Sequence, residues 1–130
     1  MSEVVIVDGD DRALFRLATA FQGTPYQITA VEPARTIRTA MRLAQRSPAA
    51  MVVSLEGTEN IAEIRALFEA STRTRFLLLV PSMPPSAALS RIVHTCGAGI
   101  LSSHDAPIVI VASLIALMAG DQSSEGGGSA

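Results

Sequence analysis

Five short runs of apolar residues recur along the chain. Each is followed by a stretch whose apolar positions fall three and four residues apart. The first run, "VVIV" at residues 4–7, closes in the acids of "DGDD". A continuous apolar run of this length predicts a buried strand. In "DRALFRLATAFQG", Leu14, Leu17, Ala18 and Phe21 share one helical face, and Gly23 is a stop signal. "YQITAVE" predicts a second, weaker strand. Pro33 opens a second helix, "PARTIRTAMRLAQRS", with Ile37, Ala40, Met41 and Ala44 on one face. Residues 51–55 predict the third strand. "NIAEIRALFEAS" follows as the third helix, with Ile61, Ile64 and Phe68 inward. Asn60 and Glu63 resemble a capping box at its start. "RFLLLVP" is the fourth strand and "PSMPPS" a proline-rich loop. "SAALSRIVHTCG" is the fourth helix, with Leu89, Ile92, Val93 and Cys96 on its inner face. "AGILS" is a brief fifth strand, and "PIVIVASLIALMAG" a fifth helix with Pro107 in its first turn.

Strands that alternate with helices imply right-handed crossovers and a parallel sheet covered by helices on both faces. In such an α/β sheet, ligands and chemistry sit at the carboxyl ends of the strands, where strand order reverses. The residues expected there are Asp8, Gly9, Asp10 and Asp11, then residues 54–57, residues 80–82, and Ser102, Ser103 and His104.

The chain of 130 residues fits one domain, expected over residues 1–120. "DQSSEGGGSA", residues 121–130, reads as a flexible linker or tail, and an output domain is the expected neighbour of a native linker. A net charge of −2 gives no global field for nucleic acid or an anionic membrane. The single cysteine, Cys96, excludes an internal disulfide and suits a cytoplasmic setting. The longest apolar run, residues 108–119, is broken by Ser113 and is shorter than the roughly 18 residues of a membrane span. All ten basic residues are arginine. Without a lysine, Schiff-base chemistry, a Walker-type phosphate lysine and a lysine-locked phosphoaspartate are closed to this chain.

"VVIVDGDDRALFRLA", "SPAAMVVSLEG" and "HTCGAGILSSHDAP" together resemble the CheY-like receiver domains of bacterial response regulators. The resemblance covers residues 3–119 and implies a flavodoxin-like fold, a five-stranded parallel sheet with helices on both faces. In the family, an aspartate at the end of strand three accepts a phosphoryl group, and two acids after strand one hold Mg²⁺. A hydroxyl residue ends strand four, and a lysine after strand five pairs with the phosphate. Carried over, the phosphoacceptor position falls on Ser54 and the acid pair on Asp8 and Gly9, so one carboxylate is lost unless Asp10 moves in. The hydroxyl position falls on Val80 or Pro81, with Ser82 nearby. The lysine position falls on Ser103, or on His104 if the loop is counted without a gap. The aromatic switch position falls on Ile100.

These replacements remove the chemistry. Mg²⁺ takes about six oxygen ligands and is held by one or two carboxylates plus the phosphoryl group. A serine hydroxyl needs an adjacent base to become a nucleophile. The expected protein is therefore a degenerate, aspartate-less receiver: not an enzyme, without cofactor or metal, and not switched by phosphorylation. Asp8, Asp10 and Asp11 form a residual acidic pocket, read as caps of the following helix or as a residual cation site. His94 and His104 show no ligand spacing.

Two surfaces remain. Arg35, Arg38, Arg42 and Arg46 form one stripe, read as a solvated helix face. No aromatic residue interleaves with them, which opposes direct nucleic-acid binding. The fifth helix is apolar on every side, yet an outer helix buries only one face. Ile108, Val111, Leu114, Ile115 and Met118 are the expected interaction surface, for a homodimer or a protein partner, unless the tail covers it or part of the run is a strand; the resemblance implies that this surface spans helix four, strand five and helix five. The rival reading is a small-ligand sensor, with a neutral or anionic ligand near Ser54, Ser82 and Ser103.

Overall fold

A computed structural model describes residues 3–31 and 36–127. Pro33 and Arg35, the expected helix opener and the first arginine of the stripe, lie outside the described residues. Strand and helix alternate throughout: β1 (Glu3–Val7), α1 (Asp11–Ala20), β2 (Gln27–Val31), α2 (Thr36–Ala44), β3 (Ala50–Ser54), α3 (Ile61–Ala70), β4 (Arg75–Val80), α4 (Ala87–Cys96), β5 (Gly99–Ser102) and α5 (Pro107–Gly127). The strands form one parallel sheet in the order β2-β1-β3-β4-β5. The chain winds outward in one direction from β1 to β2 and in the other from β1 to β5, so strand order reverses between β1 and β3.

The two-residue period of a strand sends alternate side chains to opposite faces. Val5, Val7, Met51, Val53, Leu78 and Val80 pack against α2, α3 and α4. Val4, Ile6, Ala50, Val52, Leu77 and Leu79 pack against α1 and α5. Between their ends these strands are apolar at every position because both faces are covered. Each fully buried valine, leucine or phenylalanine contributes about 1.5–3 kcal/mol relative to leaving it exposed.

Polar residues set the element boundaries. The Asp10 side chain caps α1 by accepting from the Arg12 N–H, at 2.9 Å. Asn60 Oδ1 accepts from the Glu63 N–H at 2.8 Å, while the Asn60 side-chain amide donates to Glu63 Oε1 at 3.1 Å. That reciprocal pair is a capping box closed through the amide of the capping residue itself. Ser86 caps α4, and Gly97, with φ of 69°, ends it in the left-handed region.

Two expectations change. Cys96 is exposed. It closes the last turn of α4, one residue before the reversal at Gly97, so no further turn packs over it. Val111 and Leu114 belong to the core with Ile110, at 3% and 0% exposure, and cannot line an outer surface. They face the sheet, and Ile115 and Met118 pack half-buried beside them. Helix α5 runs to Gly127.

At the amino-terminal edge of the sheet, a buried polar pair ties two loops together. Thr74 Oγ1 donates to the Pro48 carbonyl at 2.8 Å and lies 2.7 Å from Ser71 Oγ. Thr74→Val keeps the shape but leaves both partners short of a hydrogen bond. It is expected to cost about 1–3 kcal/mol, read as a lower urea midpoint with an unchanged slope.

Candidate functional site

The strand ends place Asp8 beside Ser54. Val7 pairs with Val53, so the residue after each stands side by side at the carboxyl end of the sheet. Both are half-buried, and the Ser54 hydroxyl is hydrogen-bonded to the Asp8 carboxylate. Asp8 Oδ1 also accepts from the Asp10 N–H at 2.9 Å. Asp10 in turn caps α1, and Asp11 sits in the helix's first turn. The acids therefore form a relay of turn and cap contacts leading into α1. Among the described residues, no group of three or more histidine, cysteine or acidic side chains is placed to hold a metal ion.

Burial raises the Asp8 carboxyl above its ordinary value, and the nearby Asp10 carboxylate pushes the same way. The Asp10 N–H and the Ser54 hydroxyl oppose the rise without cancelling it. Asp8 thus holds its proton more tightly than a free aspartate.

The other positions are dispersed. Val80 is buried at the end of β4 and belongs to the core. Pro81 and Ser82 are exposed in the loop that follows. The Ser103 N–H donates to the Val80 carbonyl at 2.8 Å, which fixes the loop after β5 against β4. The His104 N–H donates to Ser102 Oγ at 3.1 Å, and the His104 ring is exposed, as is His94 on α4. Ile100 packs half-buried against the α2–α4 core. Ser103 shares a cavity of about 270 Å³ with Asp8, Arg16, His104 and Asp105. Ser82 lines a different cleft, of about 420 Å³. Ser54 lines neither, so Ser54, Ser82 and Ser103 do not meet around one pocket.

The sequence reading passed over Glu59. Its carboxylate accepts from the Glu56 N–H at 2.9 Å and from the Gly57 N–H at 3.0 Å. Both donors belong to the turn that follows Ser54. Gly57 has φ of +95°, and a Cβ there would lie 3.3 Å from Pro81 Cγ, so the turn packs closely against the loop after β4. An acid two residues after a glycine was the only signal available in the sequence.

No family model matches the chain, and no curated relative matches it at a significant level. Solved structures do. A two-component response regulator of the LuxR family from Aurantimonas sp. SI85-9A1 superposes with a TM-score of 0.70 at 21% identity, over 92% of this chain and 86% of that one. The isolated REC domain of RcsB from Salmonella enterica serovar Typhimurium, solved with the phosphomimetic BeF3⁻, gives 0.72 at 19% identity, over 92% and 89%. The pilus assembly protein CpaE from Caulobacter crescentus CB15 gives 0.68 at 12% identity, over 90% and 99%. The chain has the response-regulator receiver fold. Within that fold, a serine stands at the end of β3, a buried valine at the end of β4 and a serine just after β5.

The raised Asp8 value has a testable sign. Its charge costs stability above the folded-state value. That cost shrinks as pH falls through this value and is gone below the ordinary carboxylate range, where Asp8 is protonated in folded and unfolded chains alike. Asp8→Asn keeps an acceptor for the Asp10 N–H and removes the charge. It is expected to raise the thermal midpoint at neutral pH relative to acid pH. A difference from wild type that does not change with pH would contradict this assignment.

Proposed function

We propose that this receiver-fold domain is a protein–protein interaction module in bacterial signalling or regulation, working without phosphorylation, and that its main partner is a second copy of itself. The observation that carries the reading is the outer face of α5. Ile108, at 66% exposure, and Val109, at 45%, lead into exposed Ala112, Ala116 and Ala119. Residues 107–119 contain no charge. An apolar strip without charged residues favours association over solvation. Its alanines let a second helix approach closely, since interhelical distance follows the side chains at the contact.

Loss of the switch is supported by the strand ends. The residue at the end of β3 is Ser54 rather than a carboxylate, its hydroxyl is engaged with Asp8, and the chain has no lysine to read a phosphate. The surface differs from the sequence expectation in its members: Ile108 stays, Val109, Ala112, Ala116 and Ala119 join it, and Val111 and Leu114 belong to the core. The same fold occurs in a response regulator and in a pilus assembly protein, so transcription control and pilus assembly are the settings in which such a module fits. Among the described residues, no helix is long and apolar enough to cross a membrane.

Sedimentation equilibrium tests the reading. Wild type is expected to dimerise. Ile108→Glu and Ala112→Glu, both at exposed positions, are expected to raise the dimer dissociation constant at least about tenfold, the equivalent of 1.4 kcal/mol, with far-UV circular dichroism unchanged. A wild-type chain that stays monomeric at every concentration would overturn it.

A further inference from the structure

The cleft of about 420 Å³ lies on the layer of the sheet opposite α5, between the loop after β3 and the loop after β4. Its volume is within the range of small-molecule sites, about 300–1,000 Å³. The floor is apolar, made by Leu55, Ile64, Val80 and Leu89. Prolines of the β4–α4 loop form one wall. The charged lining residues are Glu56 and Glu59, and no basic residue lines the cleft.

Two helix amino-termini, those of α3 and α4, also open here, and such termini ordinarily favour an anion. Four of the backbone donors near this cleft are engaged within the chain. Asn60 Oδ1 takes the Glu63 N–H, Ser86 Oγ takes the Leu89 N–H at 3.1 Å, and the Glu59 carboxylate takes the Glu56 and Gly57 N–H groups. Glu59 thus sets a carboxylate of the chain itself on the turn after β3. Glu59 uses one bond on each oxygen and keeps lone pairs for a further donor. Glu56 is exposed at the rim.

We propose that this cleft binds a small organic cation, an amidinium, guanidinium or primary ammonium group carried on an apolar body. The apolar body covers the leucine, isoleucine and valine floor. The cationic head pairs with the glutamates, where a planar amidinium or guanidinium can donate two parallel hydrogen bonds to one carboxylate. The site is separate from the α5 surface, and neither proposal depends on the other.

A matched set of probes tests it: benzamidinium, benzamide and benzoate share one ring and carry positive, zero and negative charge. Each is titrated into the full chain and followed by amide NMR. Benzamidinium is expected to shift Glu56, Gly57, Ile64, Ser82 and Leu89 saturably. Benzamide should bind more weakly, and benzoate should leave these amides unmoved. Glu56→Gln is expected to weaken benzamidinium roughly threefold, the effect of one partly exposed ion pair. Benzoate binding as well as benzamidinium would overturn the proposal, since the cleft would then be an anion site. Benzamidinium and benzamide binding equally would overturn it too, because charge would not be read. So would the absence of saturable shifts with any of the three.

Discussion

Three central strands buried on both faces hold the rest of this molecule in place. β1, β3 and β4 divide their side chains between two cores, Val4 and Ile6 to one layer and Val5 and Val7 to the other. The backbone of such a strand satisfies its hydrogen bonds only within the sheet, and its side chains leave no room for polar groups. Polar chemistry is therefore pushed to the strand ends. Asp8, Ser54 and Ser102 are the first polar residues after, or the last residues of, apolar runs, and all three are half-buried. Helices that cover the sheet then compete for the same ends with their caps, and Asp10, Asn60 and Ser86 are spent on that task.

That competition explains the character of the site. A carboxylate at the end of β1 is partly desolvated by the sheet it leaves, so its proton affinity rises. The partners it does have, a serine hydroxyl and one backbone N–H, do not offset the burial. Beyond Ser54, Glu59 fills the backbone donors of the turn with the chain's own carboxylate. Val80 completes the core at the end of β4. Each feature is ordinary structural chemistry. Together they support the reading of a receiver fold kept as a scaffold.

Much of the fold was legible because buried strands and amphipathic helices carry distinct periods. Helix α4 illustrates how far this goes: Leu89, Ile92 and Val93 face inward as their spacing implies, while Cys96, at the same phase, is exposed where the helix ends. Helix α5 marks the limit. A helix apolar on every side has no phase in its sequence, and only packing against the sheet and α1 separates buried Val111 and Leu114 from exposed Ile108 and Val109. The site was legible as a set of strand-end positions. Its connections were not. The Glu59 turn depends on the positive φ of Gly57 and its contact with Pro81, and the separation of Ser82 from Ser103 depends on how two loops leave neighbouring strands.

The central claim is that the end of β3 no longer carries a phosphoryl switch. Amide NMR of the domain with Mg²⁺, followed by the phosphoryl mimic beryllofluoride, tests it most directly. The account predicts that Asp8, Ser54 and Ser103 stay unmoved through both additions. Saturable shifts at those residues, spreading into α4 and α5, would contradict it and restore a working cation and phosphate site.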